Sequence, residues 1–359
     1  MKNKILYVLL IIPLFFISGC STSLNLNEKL IIKGVGIDSC DQGFELSFNI
    51  VKSGNFAGAK EEDSNKVIIL KSKGETILDT VSNLKNDTGS YPFFSQNLIL
   101  IIGEQVAKDG VYPIIDFFIN HYECRPSVEI MVAKGKAADI MNLKFNDESM
   151  QAKDILSIVK QSNFNELKYN VKSFVADLKS EYTSPKLPFL NIEDDKINAD
   201  QMAILKKDKL IDILDKDQRD GFFLASGQAK GLVEVIQVGK SLVTYNIVNI
   251  ERKIDVTINK VPKFNININL QINVYGSHQN IVDEMKVKIK ESLEEKVKKA
   301  INKAILEDDC DIFNFNRYIL KKDYKYFNNM KSSIDDILKN SIYEINILPK
   351  IKFLGQKVI

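Results

Sequence analysis

The chain has 359 residues, 45% hydrophobic and 27% charged, with 49 Lys plus Arg against 47 Asp plus Glu. Lys2 and Lys4 belong to an N-terminal segment that reads as removable, and without them the two signs are equal at 47. That balance excludes the net electrostatic footprint of a nucleic-acid binder and leaves only local patches; the length suggests two or three domains of ordinary globular composition.

The removable segment is basic, then apolar from Ile5 to Ile17, then small at Ser18-Gly19 before Cys20. At about 13 residues the run is too short to cross a bilayer as a helix, and Pro13 interrupts it. Branched apolar, small, small, Cys is the order that lipoprotein processing reads, with the thiol as the soft nucleophile that takes a diacylglyceryl group. The expectation is a signal peptide over 1–19, cleavage between Gly19 and Cys20, lipidation of Cys20, and a mature protein held at the extracytoplasmic face of a membrane. The other three cysteines, Cys40, Cys124 and Cys310, are far apart and form no CxxC, which argues against a disulfide framework or a structural zinc site.

Residues 20–29 are polar and small, as a tether. Leu30 to Ile37 and the alternating Phe44, Leu46, Phe48 and Ile50 predict strands around a turn at Asp41-Gln42-Gly43. Ser53 to Asn65 reads as a loop and Val67 to Leu70 as a strand. Ser72 and Glu75 have capping-box spacing before a helix marked by Ile77, Val81 and Leu84. Leu98 to Ile102 is an unbroken apolar run, predicting a strand covered on both faces. Val111, Ile114, Ile115 and Phe118 predict a helix with Pro113 in its first turn. A strand over Val128 to Val132, a short helix from Lys136 to Met141 and a mainly helical stretch from Gln151 to Lys179 follow. Ser184-Pro185-Lys186-Leu187-Pro188 reads as a linker.

Beyond it, Met202 to Leu205 and Leu210 to Leu214 suit a hairpin, and strands run from Leu232 to Ile258. Ile266, Ile268, Leu270, Ile272 and Val274 alternate with amide side chains, the clearest period of two. Val282, Met285, Ile289, Leu293, Val297, Ile301 and Ala304 form a helical stripe with Glu–Lys pairs at 284/288, 294/298 and 295/299. A short helix from Ser333 to Leu338 and an alternating strand at Tyr343, Ile345 and Ile347 close the chain. The expected fold is α+β: an N-terminal mixed region over 30–190, a small middle domain over 197–240, and a C-terminal domain over 241–359 in which an antiparallel sheet packs on the long helix.

Catalytic patterns occur as fragments. Ser82–Lys85 and Ser157–Lys160 have the S-x-x-K spacing of serine acyl-transferases without the partner elements. Gly34-Val35-Gly36 lacks the rest of a dinucleotide loop, and no Walker sequence is present. His121 and Cys124 could share a helical face but need two more metal ligands. Glu307, Asp308, Asp309 and Asp311 lack the glycine and distal Glu of a calcium loop and read as a solvated helix end. No catalytic residue, cofactor or metal site is therefore expected.

Three blocks carry a family resemblance. They are Ile31-Ile32-Lys33-Gly34-Val35-Gly36-Ile37-Asp38; then Phe93-Phe94-Ser95 through Leu98 to Glu104, Ala107, Gly110, Asp116-Phe117-Phe118, Arg125 and Val132 to Ala137; and Asp311-Ile312-Phe313-Asn314-Phe315-Asn316. With the lipobox, they make the chain resemble the Ger(x)C family, the lipoprotein C subunits of spore germinant receptors. It departs from the family where Ser21-Thr22 replaces a usual Trp-Asp, where a His near Gln96 is missing, and where Asn314 and Asn316 replace glycines. Asn tolerates a left-handed backbone, so the last turn is expected to persist. The resemblance implies a three-domain, non-enzymatic lipoprotein that joins integral-membrane receptor subunits at the spore inner membrane. Contact with a small-molecule germinant is left open. The alternative is a solute-binding lipoprotein of a transporter, which would call for two similar lobes around a cleft.

Overall fold

The computed structural model describes residues 29–51, 67–121, 123–145, 148–276, 281–330, 334–354 and 357–358. Gly19, Cys20, the signal segment, the tether before Lys29, the Ser53–Asn65 loop and His278 lie outside them. Among the described residues the chain forms a nine-stranded sheet, a five-stranded sheet and a two-stranded ribbon.

β1 (Lys29–Cys40) and β2 (Gly43–Val51) make the expected hairpin, and β3 (Val67–Gly74) adds antiparallel to β2. Because β3 runs on to Gly74, Ser72 lies in the strand and donates its hydroxyl to Thr80 O. The helix α1 (Ile77–Thr88) is capped one turn later than its sequence spacing suggested. Thr76 Oγ1 accepts the Asp79 N–H at 3.1 Å, and the Glu75 N–H donates to Asp79 Oδ2 at 2.9 Å. β4 (Tyr91–Phe93) pairs with the start of β1.

β5 (Ile99–Gly103) is buried at every position, as an apolar run without alternation requires. It lies parallel between β1 and β6 (Glu129–Ala133). α2 (Glu104–Asp109) and α3 (Tyr112–Asn120) connect β5 to β6, and α3 buries Ile114, Ile115 and Phe118 with Pro113 in its first turn. After β6 come α4 (Ala137–Met141), the ribbon β7 (Lys144–Phe145) and β8 (Glu148–Ser149), α5 (Ala152–Val159), which runs into a π turn over Lys160–Phe164, and α6 (Val171–Leu178). Gly34 and Gly36 are packing glycines of β1: a Cβ would stand 2.9 Å from Ile99 at the first and 2.9 Å from Met141 at the second.

The stretch expected as a linker is a strand of this sheet. β9 (Lys186–Glu193) pairs in parallel with β6 through Phe189 and Leu190, and antiparallel with β10 (Lys196–Lys206), which is followed by β11 (Lys209–Leu214). The order is β11-β10-β9-β6-β5-β1-β2-β3, with β4 beside β1. Residues 197–214, read from sequence as the start of a middle domain, thus belong to the first sheet. A helix that the apolar pattern did not reveal, α7 (Lys216–Ser226), follows them behind a full capping box between Asp215 and Gln218.

The second sheet is β12 (Val233–Val238), β13 (Ser241–Ile258), β14 (Pro262–Tyr275), β15 (Ile342–Leu354) and β16 (Lys357–Val358) in sequence order. Its first three strands are antiparallel, and β15 joins β14 in parallel. The fold is α+β as expected, with the long helix as part of the crossover between two parallel strands. That helix, α8 (Val282–Ile301), continues as a π turn over Asn302–Glu307 and buries Met285, Ile289, Leu293, Val297, Ile301 and Ala304. In the same core, Phe264, Ile266, Ile268, Leu270, Ile272 and Val274 of β14 are all at most 1% exposed. Of the three anticipated helix-surface pairs, Glu295–Lys299 is closed at 3.2 Å; Lys288 turns to Glu291, and Glu294 accepts the Ile347 N–H of β15. α9 (Phe315–Lys322), α10 (Tyr324–Asn329) and α11 (Ile334–Lys339) complete the chain between α8 and β15.

Candidate functional site

The first two sequence blocks meet at the carboxyl ends of β1, β5 and β6. Asp38 accepts the N–H groups of Ala137 at 2.7 Å and Ala138 at 2.9 Å, which open α4. Burial pushes the Asp38 carboxyl above the usual range, and these two N–H groups pull against it. Gly103 ends β5 directly beside it, and a Cβ there would run into Asp38 Oδ1. Glu104 then crosses to the next strand: its N–H donates to Gly135 O at 2.9 Å, its Oε2 accepts the Gly135 N–H at 3.0 Å, and Lys108 binds Oε1 at 2.6 Å. The Lys108 ammonium, with the Gly135 N–H, holds the Glu104 carboxyl below its ordinary value. A 290 Å³ cavity opens beside this corner. The residue types follow from helix capping and close packing, with each charge absorbed by a neighbour.

A buried ion network ties the two sheets together. Arg219 and Asp220 on α7 are 1% and 0% exposed and joined by Nη2–Oδ1 at 2.7 Å. Arg219 Nη1 also donates to Ala199 O and Asp200 Oδ1 on β10, both at 3.1 Å. From the second sheet's side, Lys296 on α8 reaches Glu234 on β12 at 2.6 Å, Asp217 at 3.1 Å and Asp220 at 3.6 Å. Burial by itself would lower the Lys296 ammonium, but the hydrogen bond to Glu234 and the surrounding carboxylates outweigh it and hold the group above its ordinary value. Sequence reading missed this network because its members are scattered from Asp200 to Lys296. The signal that could have found α7 is the Asp215-x-x-Gln218 box.

The third block forms the other joint. Asp311 is buried, and its carboxylate accepts the N–H groups of Phe313 at 3.1 Å, Phe315 at 3.0 Å and Asn316 at 2.8 Å. Its main-chain carbonyl accepts the Ser184 N–H at 2.8 Å, just before β9. Asn314 takes the left-handed conformation expected of a glycine substitute, with φ 64°, whereas Asn316 is helical and buried in α9. Phe313 and Phe315 stack at 5.0 Å; the former touches Phe222 of α7 at 5.7 Å, and the latter touches Phe264 of β14 at 4.8 Å. Beside this block, between α6, α7 and α9, lies a 460 Å³ cleft.

The catalytic fragments are spent on structure. Ser82 and Ser157 donate to the carbonyls of Leu78 and Lys153 within their own helices. His121 stands 3.9 Å from Cys124 Sγ and packs on Phe117 at 5.0 Å. Burial, with Glu123 nearby, pushes the Cys124 thiol up to about 12, far from a thiolate at neutral pH. Cys310 is buried and Cys40 is half-buried. The acidic cluster does follow a helix end, as expected, but only Glu307 in it is exposed, and Asp311 is buried. Lys303 binds Glu307 at 3.1 Å and Asp308 at 3.4 Å, Lys339 binds Asp309 at 2.5 Å, and Lys303 also reaches Asp212 on β11. Among the described residues, no group of three or more His, Cys, Asp or Glu is gathered to hold a metal ion, and no helix is long and apolar enough to cross a membrane.

Two family models match the sequence: a spore germination protein N-terminal domain over residues 22–192, and a spore germination B3/GerAC-like C-terminal domain over residues 200–355. They leave residues 193–199, which hold the turn between β9 and β10, between them, so the C-terminal match takes in most of β10 and all of β11 of the first sheet. Among relatives in Bacillus subtilis strain 168, spore germination protein B3 is 22% identical over 375 aligned residues, covering 99% of each chain. Spore germination protein A3 is 24% identical over 278 residues, 75% of this chain and 73% of its own. YfkR, also named for spore germination, is 24% identical over 238 residues, and the match spans 62% of this chain and only 61% of the relative. The crystal structure of the GerBC protein superposes with a TM-score of 0.62 at 20% identity, over 89% of this chain and 96% of that one, and shares the fold.

Proposed function

Since this chain belongs to the GerAC-like family of spore germination proteins, we propose that it is a lipid-anchored, non-enzymatic subunit of a spore nutrient germinant receptor, acting in assembly with integral-membrane subunits. The observation that carries this reading is the pair of family matches, which together run through both sheets. The site geometry supports it: the three blocks that carry the resemblance are helix caps, packing glycines and aromatic joints rather than a catalytic constellation. A protein of this design works by holding surfaces in fixed relation.

Diacylglyceryl on Cys20 would confine those surfaces beside the membrane subunits, raising effective concentration without a high soluble affinity. The transporter reading calls for two similar lobes, whereas the two sheets here differ in strand number and order. The test is nutrient-triggered germination of spores that lack the protein, beside spores carrying Cys20→Ala, scored by loss of refractility. Deletion should abolish the response to one nutrient class and Cys20→Ala should weaken it. Normal germination of both with every nutrient would overturn the assignment.

A further inference from the structure

The 460 Å³ cleft beside Asn314 is positively charged in a chain that carries 49 Lys plus Arg against 47 Asp plus Glu. Five cations line it, Lys168, Lys186, Arg252, Arg317 and Lys321, against two acids, Glu166 and Asp177. Lys186 is matched to Asp177 at 3.1 Å. Among the described residues no carboxylate stands within 4.0 Å of Lys168, Arg252, Arg317 or Lys321, although most lysines of α8 have such a partner. Arg252 is the preorganised member. It is half-buried, its Nη1 donates to Ala225 O at 3.0 Å, and its Nη2 donates to Tyr318 Oη at 3.0 Å, which fixes the guanidinium plane. The floor is apolar, built by Leu167, Phe222, Ile312 and Phe313.

We propose that this cleft binds a small organic anion, its carboxylate or phosphate set among Arg252, Arg317 and Lys321 and its apolar part against Phe313. The volume is that of a small-molecule pocket, and unpaired cations above an apolar floor favour an anion with a nonpolar portion over a neutral solute or a bare ion. The cleft lies between the helices of the first sheet and the third block. An occupant would therefore touch both joined parts, since Lys168 precedes α6 and Arg317 and Lys321 lie on α9.

The proposal is independent of the receptor assignment, because its test needs no spores. The full-length chain in detergent micelles is titrated calorimetrically with phenylacetate, phenyl phosphate, inorganic phosphate and the neutral phenylacetamide. Phenylacetate or phenyl phosphate should bind and the amide should not; the stronger of the two anions identifies the head group, and inorganic phosphate should compete weakly. Arg317→Ala with Lys321→Ala, both at exposed positions, should leave thermal unfolding unchanged and weaken binding about tenfold or more, the scale of a lost charge-assisted pair. No binding by either aromatic anion, equal binding of the amide, or an affinity unmoved in the double variant would overturn it. Loss of a membrane partner in the double variant without any anion binding would also overturn it, and would point to an acidic peptide as the occupant.

Discussion

Gly221 lies against the main chain of Lys296, so that α7 and α8 touch backbone to backbone: a Cβ on Gly221 would fall on the Lys296 carbonyl. Replacing a helix-interior glycine by alanine ordinarily gains up to about 1 kcal/mol. Here the obstacle is main chain, which cannot rotate away, and overpacking of this kind costs about 1–3 kcal/mol. Gly221→Ala is expected to lower the urea midpoint with an unchanged slope. A raised or equal midpoint would mean that the two helices separate freely.

Lys296 also answers for the charge beneath that contact. Lys296→Met would leave Glu234 and Asp220, 8% and 0% exposed, with Lys216 and Arg219 as their remaining cations. Breaking a buried pair from one side costs about 3–5 kcal/mol. The expected deficit is largest near neutral pH and shrinks on acidification, as Glu234 takes up a proton. Adding Glu234→Gln to Lys296→Met should recover part of the loss, and thermal unfolding across a pH series reads all three.

Asp38 and Gly103 define a coupled pair with an unusual sign. Gly103→Ala drives a Cβ into Asp38 Oδ1 and should dislodge the carboxylate from the Ala137 and Ala138 N–H groups. Asp38→Ala alone leaves those donors without their acceptor, at about 1–3 kcal/mol. With Asp38 already removed the main clash at Gly103 is gone, so the double variant should be more stable than the sum of the single losses predicts. A double-mutant cycle on urea unfolding measures the coupling, and strict additivity would contradict the contact.

What the sequence made legible here is what periodicity governs. β14 and the α8 stripe bury their apolar sides in one core, as their alternations of two and of three to four required, and the run from Ile99 to Ile102 is covered on both faces. β9 was hidden by Pro185 and Pro188, which read as linker residues. Pairing with β6 begins at Phe189, one residue past Pro188, so the missing N–H falls outside that ladder and the prolines are tolerated. α7 was hidden because its buried side holds Arg219, Asp220 and Gly221; charges neutralise one another there and a glycine admits α8. The same holds for the cleft. Its cations lie between Lys168 and Lys321, and only Arg317 and Lys321, one turn apart on α9, share a helical spacing, whereas the blocks at Asp38, Gly103 and Asp311 were visible as residues and acquired their roles only as caps and joints.

Asp311 gives the fold a pH signature that separates burial from hydrogen bonding. Burial raises its carboxyl to about 6, against the pull of the N–H groups of Asn316, Phe315 and Phe313. Its folded value therefore lies above the unfolded one, and between about pH 4 and 6 the native state binds more protons at this site than the unfolded chain. Stability from this group accordingly falls as pH rises through that window and is level above it. Asp311→Asn cannot titrate, and its amide nitrogen would face a main-chain donor, so the variant should be less stable throughout. The wild-type advantage should nevertheless narrow from pH 4 to pH 6 and then stay constant, as read from urea midpoints on matched samples. Other carboxylates held low, such as Glu104 and Asp217, act in the opposite direction in both proteins and cancel in the difference. An advantage that instead widens with pH would show that the three N–H groups outweigh burial and that the block is built around a charged Asp311.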